Sequence, residues 1–70
     1  MTYKEQIVYT LGEFFELTDD VLKEKIRASR QSTMHKTLYK LAITELLFFK
    51  IIVRMKHVER TKDVYKYKLT

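Results

Sequence analysis

Apolar residues recur every three to four positions through the first two-thirds of the chain and every second position after that, which predicts three helices followed by two strands. Tyr3, Ile7, Leu11 and Phe14 or Phe15 lay one stripe along a helix over about residues 3–15. It opens on Thr2-Tyr3-Lys4-Glu5, a capping box in which hydroxyl and carboxylate satisfy free backbone N–H groups. Gly12, inside the pattern, costs roughly 1 kcal/mol relative to Ala and marks either a close helix crossing or an early end. Leu17-Thr18-Asp19-Asp20 is a second start signal, with Thr18 as N-cap and two carboxylates where the helix dipole favours them. The helix it predicts covers about residues 19–27 and buries Leu22 and Ile26.

A third helix is predicted over about residues 30–45, capped by Ser29 or Ser32. Met34, Leu38 and Leu41 stand at i, i+4 and i+7, so they are expected to turn inward. Ser32, Lys36 and Tyr39, flanked by Thr33 and Lys40, then face outward. From Leu46 the run LLFFKIIVRMKH is β-branched and aromatic, and it predicts a strand over about residues 48–57 with Phe49, Ile51, Val53 and Met55 on the core face. A second strand over about residues 64–69 alternates Tyr65, Tyr67 and Leu69 with Lys66 and Lys68, and HVERTKD forms the hairpin tip. The expected fold is α+β, a single domain of three helices and a two-stranded antiparallel hairpin. Ile43 and Ile52 fall on faces this scheme leaves polar, which marks either a partner surface or a broader core.

Seventy residues bury only about 60% of the surface that their unfolded chain exposes, and a 46% hydrophobic composition compensates. With no cysteine, disulfides, thiolate zinc sites and thiol nucleophiles are excluded. No apolar run approaches the ~18 residues of a membrane span, and MTYKEQ lacks the regions of a signal peptide, so a soluble cytoplasmic protein is expected. One Gly and no Pro beside ten Lys suit an AT-rich coding sequence of a low-GC bacterium, its phage or plasmid, or an archaeal virus.

The net charge of +5 is unevenly spread. Residues 1–22 carry one basic group against five acidic ones, and residues 23–70 carry thirteen against four. A positive field over the C-terminal two-thirds suits a polyanion, with a solvated lysine surface as the alternative. Two histidines without cysteine or a carboxylate pattern make no metal site, so no cofactor is expected. No serine, histidine and carboxylate recur at a motif spacing and no glycine-rich loop could cradle a phosphate, so an enzyme is not expected.

The order of elements resembles the winged helix-turn-helix family. The resemblance rests on Leu17-Thr18 opening the second helix, Ser29 through Met34 opening the third, Leu38 and Leu41 closing it, and the FFKIIVRMK…VYKYKL hairpin. The family places glycines or small residues after its second and third helices; Arg27-Ala28 and Thr44-Glu45 stand at the corresponding places here. The resemblance implies binding of double-stranded DNA by a recognition helix in the major groove and a basic wing on the flanking backbone, in a small transcriptional regulator of repressor type. The implied groove set is Arg30, Gln31, Ser32, Thr33, His35, Lys36, Tyr39 and Lys40. The implied wing set is Lys56, Arg60, Lys62 and Lys66, for phosphate. A homodimer is the expected state, since twofold readers double their contacts on palindromic sites. The alternatives are a winged domain that docks a protein partner, and an RNA or single-strand binder using the basic sheet face.

Overall fold

The computed structural model describes residues 2–31 and 33–70. Helix α1, Tyr3–Glu13, opens on the expected capping box, with the Glu5 N–H donating to Thr2 Oγ1 at 3.2 Å and the Thr2 N–H to Glu5 Oε1 at 3.0 Å. It ends short of the Phe pair, because Phe14 turns extended and leads into a two-residue strand β1, Leu17–Thr18. Helix α2, Asp19–Arg30, starts where the Thr18 hydroxyl accepts the Val21 N–H at 3.3 Å and buries Leu22 and Ile26. It runs three residues past the predicted end and closes on Gln31, which adopts the left-handed conformation at φ 56°.

Helix α3, Lys36–Phe48, departs most from expectation. Tyr39, Ala42, Ile43 and Leu46 are its buried residues, while Leu38 and Leu41 are 47% and 53% exposed. The helix is thus turned by about a third of a revolution from the predicted setting, at 3.6 residues per turn. Two stripes compete along it. The outer one, Leu38-Leu41-Phe48, is interrupted by Glu45, whereas the inner one stands at i, i+3, i+4 and i+7 with no charge to bury. The inner stripe wins on that difference. Ile43, left over by the sequence pattern, belongs to a core broader than expected.

After Phe48 the chain closes a Schellman turn: the Lys50 N–H donates to the Leu47 carbonyl at 3.1 Å and the Ile51 N–H to the Leu46 carbonyl at 2.9 Å. Lys50 takes the left-handed place, at φ 59°, that glycine usually holds. Because this turn uses Phe49 to Ile51, strand β2 runs Ile52–Glu59 and starts four residues later than predicted. Its faces are also the reverse of those predicted. Ile52 pairs with Leu69 and Arg54 with Tyr67, so Ile52, Arg54 and Lys56 share the helix side and Val53 and Met55 the outer side. Ile52 is fully buried in the result.

Strand β3, Lys62–Leu69, keeps its expected orientation, with Tyr67 buried and Leu69 half-buried toward the helices. The hairpin turn is only Arg60-Thr61, with Arg60 at φ 57°, and the strands consume the rest of the expected tip. Leu17 pairs with Tyr67 and Thr18 with Lys66, so the antiparallel sheet has three strands in the order β1-β3-β2, one more than the sequence predicts. The protein is therefore α+β, with the core at the junction of all three helices and the inner sheet face. No helix among the described residues is long and apolar enough to cross a membrane.

Candidate nucleic-acid interface

The site is built outward from a buried tyrosine. Tyr39 is expected in the groove-facing set, but it is 2% exposed and its hydroxyl donates to Asp19 Oδ1 at 3.0 Å. Burial, reinforced by the Asp19 carboxylate, raises the Tyr39 phenol above its ordinary range and keeps it neutral. The other Asp19 oxygen takes the Lys23 ammonium at 2.9 Å, and this bond raises the Lys23 pKa. Asp19, in the first turn of α2, thus holds both Tyr39 of α3 and Lys23 beside a surface cleft.

That cleft lies between α3 and the inner face of the hairpin. Lys40 and Thr44 line one wall, Arg54 and Tyr67 the other, with Lys23 and Asp19 at the base. Lys23 is neutralised by Asp19. Neither Lys40 nor Arg54 takes part in a salt bridge among the described residues. Arg54 lies 4.9 Å from the centre of the Tyr65 ring, and its proximity counters the rise that burial imposes on the Tyr67 phenol. Two cations in one cleft with the hydroxyl-bearing side chains of Thr44 and Tyr67 have the chemistry to receive an anionic group.

Of the other expected groove residues, Lys36 and Lys40 stand exposed on the hairpin side of α3, one turn apart. Thr33 is exposed in the lead-in, Gln31 is exposed at the end of α2, and Ser32 lies outside the described residues. His35 caps α3 through Nδ1, which accepts the Leu38 N–H at 3.4 Å, and its own N–H donates to Tyr3 Oη at 2.8 Å. Arg30 is turned toward α1, its guanidinium 3.9 Å from the centre of the Tyr3 ring. It therefore stands away from the cleft.

At the hairpin, Arg60 and Lys62 occupy the turn and its exit, and Lys56 faces the cleft side while pairing with Asp63 at 3.4 Å. Lys66 does not join them. It pairs in register with Met55 and Thr18, which places it on the opposite sheet face, 3.7 Å from Glu16. The expected pairing of Lys56 and Lys66 on one phosphate surface is corrected by that parity.

Arg54, Lys23 and Thr44 belong to the cleft and are absent from the expected set. One signal for them is legible: Lys36, Lys40 and Thr44 recur every fourth residue, a polar line on a single helix flank. Arg54 could be placed only once the faces of β2 were known. Comparison with known proteins finds no matching family model, no matching curated protein and no matching solved structure.

Proposed function

We propose that this chain is a winged helix-turn-helix protein that binds double-stranded DNA through the cleft between α3 and the β2–β3 hairpin, as a small transcriptional regulator. One observation carries the reading: Lys40 and Arg54, from different elements, line one trough whose single carboxylate, Asp19, is paired with Lys23, and neither cation is in a salt bridge among the described residues. The α1-β1-α2-α3-β2-β3 order supports the wing assignment, with the residues around the hairpin turn exposed. In this reading Lys36, Thr37, Lys40 and Thr44 approach the duplex from α3, and Lys56, Arg60 and Lys62 hold its backbone from the hairpin. Gln31, at the end of α2, and Thr33, in the lead-in to α3, supply contacts to base edges. Most of the affinity is phosphate-derived, because the exposed side of α3 presents few groups able to read a base.

The test is fluorescence anisotropy on a random duplex across a salt series. Each phosphate contact contributes about −0.9 to the slope of log affinity against log salt, so replacing both Lys40 and Arg54 by Ala reduces that slope by about 2. A slope unchanged by the double variant overturns the assignment of the cleft. Exposed Leu38 and Leu41 favour a second reading, in which the winged fold docks a protein and no nucleic acid. That reading predicts no duplex retention even at low salt, and a single-strand competitor separates both from RNA or single-strand binding.

A further inference from the structure

We infer that α3 carries two working stripes, and that the outer one is the seam of a homodimer in which two copies pack α3 against α3 antiparallel. Leu38, Leu41, Glu45 and Phe48 are separated by three, four and three residues, the a/d repeat of a helix that packs against another helix. The inner stripe already supplies the core, and among the described residues the outer one is left about half exposed at Leu38 and Leu41, beside Tyr3 and Arg30. Phe48 is 77% exposed, and Phe49 beyond it is 66% exposed, edge-on to the Phe48 ring.

The surface continues onto α1. Leu38, Leu41 and Glu45 border Lys4 and Tyr3 in one groove, and Lys4 borders Val8, Tyr9 and Ile51 in the next. With Tyr9 at 60% exposure, the three rings alone leave on the order of 400 Å² of apolar surface in water, taking ~150–250 Å² for each whole side chain. Leu38, Leu41 and Ile51 extend this beyond the roughly 300–600 Å² of the largest patch on an ordinary monomer and toward the ~800 Å² per partner of a stable interface.

Charge selects the occupant. The two grooves hold two cations and two anions, Lys4 and Arg30 against Glu5 and Glu45, with Lys4 bonded to Glu45 at 2.7 Å. A patch that is neutral in itself meets its own twofold image without leaving net charge buried, which an isologous contact requires. In the antiparallel arrangement Leu38 of one protomer meets Phe48 of its partner, and Leu41 covers the partner's Lys4–Glu45 pair. Lys36 and Lys40 lie on the other flank of α3 and stay open, while Thr37 and Thr44 border the seam one turn before Leu41 and Phe48, so the cationic contacts of the nucleic-acid reading do not depend on the seam.

Sedimentation equilibrium of the full chain from micromolar to submillimolar concentration tests this. The wild type is expected at twice the 8.5 kDa chain mass. Leu41→Glu and Phe48→Glu are each expected at the monomer mass with unchanged circular dichroism, and Val21→Glu, an equal charge on exposed α2 surface, is expected to remain dimeric. Should one seam variant lose its helical signal, the other carries the test. A wild type that stays at the monomer mass throughout, or folded seam variants that stay dimeric, overturns the seam; a monomeric wild type reserves the face for a different protein.

Discussion

Tyr39 shows how one side chain changes the meaning of its neighbours. Read from periodicity alone it is a phenol on a polar face; in the fold it is a core residue that keeps its hydroxyl satisfied on Asp19. Tyr39→Phe is expected to lose about 1.5–3 kcal/mol of unfolding free energy by urea titration, the worth of a hydrogen bond to a charged acceptor. The raised phenol pKa gives a pH dependence of definite sign. Above the ordinary tyrosine value of 10.0 the unfolded chain releases a proton that the folded chain keeps, so this contribution is fully present below that pH and declines as pH rises above it. Melting curves collected from pH 9 to 11 are expected to fall more steeply for the wild type than for Tyr39→Phe. Identical slopes would remove the linkage from Tyr39.

At the scale of elements, what looked like missing glycines are left-handed positions held by other residues. Gln31 ends α2 and Lys50 ends α3, both at positive φ. The left-handed conformation costs a side chain roughly 1–2 kcal/mol, partly offset in glycine by the greater freedom of its unfolded chain. Lys50→Gly is therefore expected to raise stability by about 0.5–1 kcal/mol, measured as a higher urea midpoint with the same m-value. The faces of β2 make a second element-scale prediction. Ile52→Ala is expected to cost about 2–5 kcal/mol and Val53→Ala clearly less, an order that the face assignment predicted from alternation would reverse. Alternation made both faces of LFFKIIVRM plausible, because apolar residues occupy odd and even positions alike. The pairing of Ile52 with Leu69 and of Arg54 with Tyr67 decides which face is which.

Across the whole molecule, charge and apolar surface are separated around α3. One flank, with the hairpin, presents Lys36, Lys40 and Arg54; the other, with α1, presents Leu38, Leu41 and Phe48. A duplex ligand and a second copy therefore make different demands on the same helix, and variants of the two flanks are expected to behave independently. In a cycle combining Lys40→Ala with Leu41→Glu, the salt slope per protomer follows the first change and the sedimenting mass follows the second. Coupling of both readouts to either single change would mean that the two surfaces are one.

The sequence by itself determined the features that local chemistry controls. Thr2 and Thr18 begin their helices where capping hydroxyls can reach free N–H groups, and Tyr67 and Leu69 turn inward because β3 has only one apolar face. Much of the basic surface was legible too, since Lys36, Lys40, Arg60 and Lys62 are exposed wherever the helix and the turn begin. The rotation of α3, the faces of β2 and the pairing of β1 were decided only by tertiary structure. In each case two local solutions were close in energy, and the choice fell to a distant partner: Asp19 for Tyr39, Leu69 for Ile52, Tyr67 for Leu17.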